Sequence, residues 1–132
     1  MLLLMTSNTS RNRFDDFFQD SVYLSLKKDL FNYRFRKWKI LKHVPSSGRI
    51  LDIGSGTAPV SPDMARTVVA DLSEEAMRNV ECESKVVTSI TGMPFDPATF
   101  DIILCSEVLE HVPEDDKAVA ELRRVLKPGG VL

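Results

Sequence analysis

Only two cysteines, Cys82 and Cys105, occur in 132 residues. They form no Cys-x-x-Cys pair and have no histidine at zinc-ligand spacing, which excludes a zinc module and a disulfide-stapled scaffold, so both are expected to be reduced. Long apolar runs are missing as well. Residues 1–5 are apolar but lack a basic flank and give way to polar residues 6–12, too short for a signal peptide or a membrane span. A cytoplasmic protein with no integral membrane segment is expected. Neither sign of charge is in excess, with 17 Lys and Arg against 19 Asp and Glu. That balance argues against wholesale nucleic-acid binding, and no nucleic-acid partner is expected. There is no internal repeat and no low-complexity stretch, and a chain of this length that is 43% hydrophobic suits one globular domain.

What is present is unevenly distributed. Residues 1–43 hold nine Lys and Arg against four Asp and Glu, a net of +5, while the remainder holds eight against fifteen, a net of −7. Such a basic block is either a solvated amphipathic face or a cap that meets an anionic substrate or membrane surface. Residues 1–12 read as a disordered tail. From 14 to 43 the apolar residues recur at helical spacing, which predicts one or two helices whose aromatic residues seek a core. The turn signal Pro45-Ser46-Ser47-Gly48 separates this cap, residues 1–44, from a second unit, residues 45–132.

That unit opens on Ile50-Leu51-Asp52-Ile53-Gly54-Ser55-Gly56 and continues with Val68-Val69-Ala70-Asp71. Two apolar runs that each end at a carboxylate, one followed by alternate glycines, describe two strands that end at one ligand. Glycine permits a positive φ and a close approach to the main chain, so Gly54 and Gly56 could floor a site. An acid at the end of the second strand can accept from a ribose diol, a role open to Asp71. Pro59 stands where a dinucleotide loop wants its third small residue, which disfavours a pyrophosphate cradle and a nicotinamide-dependent oxidoreductase. An ordinary strand-to-helix turn has the same residue types, and the motif alone does not decide.

Further along, Pro59 and Pro62 fit the first turn of a helix. Ser73 before Glu74 and Glu75 reads as a helix start, with acids well placed against the dipole. Strands are expected at 85–88 and 101–105, and a helix at 115–126 ended by Lys127-Pro128-Gly129-Gly130. Alternating strands and helices imply an α/β fold with a doubly wound parallel sheet.

Five ordered motifs carry a family resemblance: ILDIGSGTA at 50–58, VADLS at 69–73, GMPF at 92–95, FDIILCSEVLEHV at 100–112 and LKPGG at 126–130. Over residues 45–132 the chain resembles class I S-adenosylmethionine-dependent methyltransferases, nearest the type 11 group that includes those of ubiquinone and menaquinone biosynthesis. The resemblance implies a Rossmann-like sheet of order 3-2-1-4 with a fifth strand only begun at Val131-Leu132, so the domain reads as incomplete at its carboxyl end. An open fourth-strand edge would then invite self-association. It implies S-adenosyl-L-methionine as cofactor and a small-molecule methyl acceptor as partner. Gly54, Ser55 and Gly56 would floor the methionine moiety and Asp52 would bond its amino group. Asp71 would take the ribose, Leu72 would pack on the adenine, Ser89 and Ile90 would meet the adenine edge, and Ser106 would face the methionine end and the acceptor. Tyr23, Tyr33 and Trp38 would belong to a lid. Ala58 replaces the family's third loop glycine, and Ser89 stands where an acid is common.

Residues 107–111, Glu-Val-Leu-Glu-His, form the one conspicuous chemical constellation. If they lie on a helical turn, Glu107, Glu110 and His111 share a face. His111 could then act as a general base on an acceptor hydroxyl, with Glu107 as a second catalytic candidate. The segment is also similar to the magnesium motif of certain O-methyltransferases, which would make the same three residues metal ligands, and it is equally compatible with packing residues beside the cofactor. The expectation is a methyltransferase with an oxygen acceptor preferred and no metal assigned. The alternative is a methyltransferase-like module that binds or regulates without catalysing, or an inactive fragment.

Overall fold

Ile50–Ile53 (β1) is buried at all four positions and Thr67–Asp71 (β2) at all five, the pattern of strands covered on both faces. A computed structural model describes residues 31–132. It pairs β1 with β2 on one side and with Phe100–Cys105 (β4) on the other. Lys85–Val87 (β3) lies outside β2, and Leu126–Val131 (β5) outside β4. Among the described residues the sheet has order β3-β2-β1-β4-β5, with every neighbouring pair parallel. Residues 1–30, including the expected tail, the first part of the expected helical cap and Tyr23, lie outside the described residues.

Helices cover both faces. Phe31–Leu41 (α1) and the turn after it bring Ile40 and Val44 onto Ile50, Ile102 and Leu104. Glu74–Asn79 (α2) begins where the Ser73 hydroxyl accepts from the Ala76 N–H at 3.1 Å, and it lays Ala76 and Met77, with Val80, over Val69. Asp115–Val125 (α3) buries Ala118, Leu122 and Val125, spaced four and three apart, against Leu51, Ile53 and Ile103. Asp115 and Asp116 open α3 and Arg123 and Arg124 close it, in the sense that complements the helix dipole.

Three expectations need correction. No helix follows the glycine loop: residues 57–63 are irregular, and only a 3₁₀ turn, Met64–Arg66, precedes β2. Prolines at 59 and 62 remove two donors from a helical ladder. The backbone N–H groups of Val60 and Ser61 donate instead to the Asp52 carboxylate, at 2.6 and 2.8 Å. The second correction concerns residues 127–130. They do not end a helix in a loop but form a bulged strand, so that Phe100 pairs with Leu126 and Ile102 with Val131. The fourth-strand edge expected to invite self-association is therefore occupied by β5. Third, Phe35 and Trp38 of α1 do not seek the core. Phe35 and Trp38 stay 43% and 52% exposed, because Ile40 and Val44 already supply the face turned to the sheet.

Glycine and lysine explain how the bulge is tolerated. Gly129 sits at φ +77°, and a Cβ at Gly130 would lie 2.9 Å from the Asp101 carbonyl oxygen and 2.6 Å from Leu126 Cδ1. Lys127 Nζ reaches both oxygens of Asp101, at 2.9 and 3.0 Å, and the Arg49 N–H donates to the same carboxylate at 2.8 Å. The Arg49 N–H first, and then Lys127, hold the Asp101 carboxyl below the ordinary carboxylate range. Gly130→Ala is expected to destabilise the chain by about 1–3 kcal/mol, as for other insertions into a closely packed site. Urea unfolding measures it, and an unchanged midpoint would show that β5 does not need this close approach.

Candidate functional site

At the carboxyl ends of β1 and β2 the chain bends around its two acids. Gly54, at φ +76°, donates its N–H to the Ala70 carbonyl at 2.8 Å, and Gly56 takes φ +60°. Asp71 uses one carboxylate oxygen to accept from the Gly56 N–H (2.8 Å) and the other to accept from the Ser73 N–H (2.9 Å). It thereby ties the glycine loop to the start of α2. Asp52 is only 1% exposed. Burial raises its carboxyl above the ordinary range, against the opposing pull of the Ser61 and Val60 N–H groups. In the same loop the Ser55 hydroxyl also bonds toward Asp52 and lowers its carboxyl, while the buried Thr57 hydroxyl has no hydrogen-bond partner among the described residues.

A cleft of about 560 Å³ opens beside these strand ends. Of the residues singled out in the sequence, Gly54, Asp71, Leu72, Ser89, Ile90, Glu107 and His111 line it, together with Thr88, Thr91, Val108 and residues 112–114. Leu72 presents apolar surface there at 47% exposure. On the neighbouring wall the Ser89 and Thr91 hydroxyls bond each other at 2.8 Å, and the Thr91 N–H donates to Ser89 Oγ at 3.2 Å. Asp52, Ser55, Gly56, Ser106 and Glu110 are not part of the lining. Asp52 and Gly56 stand behind the wall and shape it. An apolar shelf next to a carboxylate and a hydroxyl-rich edge, in a space of this size, can receive a nucleoside.

The opposite wall differs from the helical turn expected for residues 107–111. Glu107 adopts φ +56°, and only Leu109–His111 forms a 3₁₀ turn. Glu107, Glu110 and His111 therefore do not share a helical face. Glu107 pairs instead with Arg36 of α1, a contact across so much sequence that nothing local announced it. Among the described residues no three His, Cys, Asp or Glu side chains group as metal ligands. Beneath this wall burial, with Glu110 and then Asp52 adding to it, pushes the Cys105 thiol up to about 11, so it stays protonated at neutral pH.

Other contributors were hidden in the sequence for the same reason. Arg124 donates to the carbonyls of Phe95 (2.7 Å) and Met93 (3.0 Å) and to both Glu121 oxygens, while Glu121 accepts from the Met93 N–H at 2.8 Å. The Arg124 guanidinium, with the Met93 N–H, holds the Glu121 carboxyl below the ordinary carboxylate range. This pair pins the chain just after Ser89–Thr91 to α3. The i,i+3 spacing was visible, but the backbone it clamps was not.

A family model described as a methyltransferase domain matches residues 51–132. The chain belongs to the methyltransferase domain family. A ubiquinone biosynthesis O-methyltransferase of Paraburkholderia phymatum is 37% identical to this methyltransferase-family chain over 109 residues, covering 71% of this chain and 46% of that protein. An uncharacterized methyltransferase of Schizosaccharomyces pombe is 33% identical, covering 84% of this chain and 50% of that protein. The chain thus spans about half the length of these curated relatives. Among solved structures, an S-adenosylmethionine-dependent methyltransferase of Thermotoga maritima superposes with a TM-score of 0.71 at 20% identity, over 89% of this chain and 57% of that one. The [4+2]-cyclase SpnF superposes at 0.67 and 20% identity, over 75% and 43%. Both are likenesses of fold.

Gly54 is the hinge between the two walls. A Cβ there would lie 2.4 Å from Val108 Cγ2 and 3.0 Å from Cγ1, on a backbone whose φ already disfavours any side chain. Gly54→Ala is expected to cost about 1–3 kcal/mol, and adding Val108→Ala should return part of that loss. Denaturant titration of the single and double variants decides. No relief in the double variant would mean that Val108 is not what Gly54 accommodates.

Proposed function

We propose that the cleft binds S-adenosylmethionine and that the protein carrying this domain transfers a methyl group to a small-molecule acceptor, with an oxygen acceptor preferred. The observation that carries the reading is Asp71, set at the end of β2 beside the exposed face of Leu72 and bonded to the glycine loop. Asp71 accepts backbone N–H groups on both carboxylate oxygens and lines the cleft, where a carboxylate can also meet a ribose hydroxyl. Leu72 supports the adenine, and Ser89 with Ile90 meets its edge. Gly54, with Ser55 and Gly56 behind it, leaves room for the methionine end. Asp52 holds the 60–61 backbone in place, and any contact it makes with the amino group runs from behind the loop. Ser106, outside the lining, acts through the wall it precedes.

The cofactor supplies an electrophilic methyl group on a sulfonium that carries its own leaving group. The chain's residues then have to bind, align and exclude water, and alignment alone can contribute roughly 7–11 kcal/mol to lowering a barrier. Proton removal from an acceptor hydroxyl falls to His111, which lines the same cleft as Asp71. Glu107, paired with Arg36, places that wall and takes no proton. Two of the relatives' names support the choice of acceptor atom, since they describe ubiquinone O-methyltransferases.

Calorimetric titration with S-adenosylhomocysteine, with NAD as control, tests the binding half. Micromolar affinity for the first alone is expected, and Asp71→Ala should weaken it by about 1.5–3 kcal/mol, the range for hydrogen bonds to a charged group. A folded chain that binds neither, or binds NAD equally, sinks the reading. Once an acceptor is found, His111→Ala should keep cofactor affinity and lose about 10²–10⁴ in turnover. Full turnover in that variant would return His111 to a packing role.

A further inference from the structure

The sheet and the Glu107 wall account for the inner side of α1 and leave its outer side unexplained. Around the helix, Arg36, Lys37, Ile40 and Leu41 turn inward and are partly covered, whereas Arg34, Phe35, Trp38, Lys39 and Lys42 form one exposed stripe. The stripe joins two large aromatic rings to three cations. Phe35 and Trp38 stack at 5.9 Å between centroids, Lys39 Nζ stands 4.9 Å over the Phe35 ring, and Lys42 Nζ 3.5 Å over Trp38. Leaving two such rings half in water has a cost that a merely solvated helix face would avoid with short polar residues.

We infer that the outer stripe of α1 docks on the surface of an anionic lipid bilayer. Aromatic residues with lysines around them suit the headgroup layer, where rings meet the acyl boundary and ammonium groups meet lipid phosphates. Charge complementarity orients the contact. Residues 31–43 hold five Lys and Arg and no Asp or Glu, a net of +5, and residues 44–132 a net of −7, so an anionic surface attracts α1 and repels the sheet domain behind it. Arg36, on the inward side of the same helix, reaches Glu107 at the cleft wall. Docking therefore brings the cleft within about one helix diameter, roughly 10 Å, of the headgroups. A single-stranded nucleic acid could also use aromatics and cations, but its bases need open ring faces. Here the rings face each other and their own lysines, and the acidic remainder opposes a polyanion longer than one short helix. The docking surface stands apart from the methyltransferase reading, since neither Trp38 nor the three cations line the cleft.

Trp38 is the only tryptophan in the chain, so its fluorescence reports this surface alone. The full chain is mixed with vesicles of phosphatidylcholine, with or without phosphatidylglycerol, and Trp38 emission and vesicle flotation are read together. Expected are flotation and a blue shift on the anionic vesicles only, both weakened by salt. The double variant Lys39→Glu, Lys42→Glu should lose roughly tenfold or more in vesicle affinity, while its thermal unfolding and S-adenosylhomocysteine binding match the parent chain. Flotation without a change at Trp38 would place the contact on another surface and overturn the inference. So would equal binding to neutral vesicles, or parental affinity in the double variant. Emission already blue in solution and unmoved by vesicles would show the stripe covered by another part of the chain or by a second copy. Trp38 quenching by a single-stranded oligonucleotide but not by vesicles would assign the stripe to nucleic acid.

Discussion

A buried carboxylate with two backbone partners sets the shape of everything at the carboxyl end of the sheet. Asp52 lies on the central strand, where an unpaired charge would be very costly, and its Oδ2 accepts from Val60 and Ser61. The requirement runs both ways. Residues 57–63 make no helical ladder, so their N–H groups need acceptors from elsewhere, and buried backbone donors are seldom left unpaired. Asp52 supplies one acceptor to two of them in charge-assisted bonds. With the loop folded back in this way, Gly54 and Gly56 emerge in left-handed conformations beside Asp71, whose own two bonds close the turn onto α2.

Much of this was legible before any coordinates. Strands β1 and β2, the Ser73 cap and α3 follow from local pattern, because short apolar runs, capping and apolar spacing act within a few residues. Asp71, Leu72, Ser89 and His111 were placed at the cleft by motif order. The misreadings share a cause. Pro59 and Pro62 fit a helix start in isolation, but Asp52 captured the backbone that a helix would have used. Residues 127–130 carry the composition of a helix stop, yet Lys127 finds Asp101 across the sheet and turns the stop into a bulged strand. Glu107 would share a face with Glu110 and His111 on a helical turn, but its partner is Arg36, far away in sequence. Each error came from a tertiary contact overriding a correct local preference.

Fold and chemistry separate in the neighbours as well. A similar fold serves a methyltransferase and a [4+2]-cyclase among the solved likenesses, so architecture alone argues for a cleft and not for a reaction. The sequence relatives and the placement of Asp71 beside Leu72 carry the argument from cleft to cofactor. The proposed acceptor role rests on fewer residues, chiefly His111 and the wall that Val108 leans against Gly54.

The helix-free passage from β1 to β2 also bears on how the chain folds. Ile50 meets Thr67 at a separation of 17 residues and Val69 meets Lys85 at 16, whereas Ile50 meets Ile102 only at 52. Closing short loops costs less entropy, and local contacts form early. The strands β1, β2 and β3 are thus expected to pair first, with Asp52 and the glycine loop already in place, and β4 to complete the sheet afterwards. Pulse-labelled amide exchange would show protection in β2 ahead of β4, and the reverse order would disprove it. On that path the Asp71 side of the cleft exists before the wall that carries Glu107 and His111.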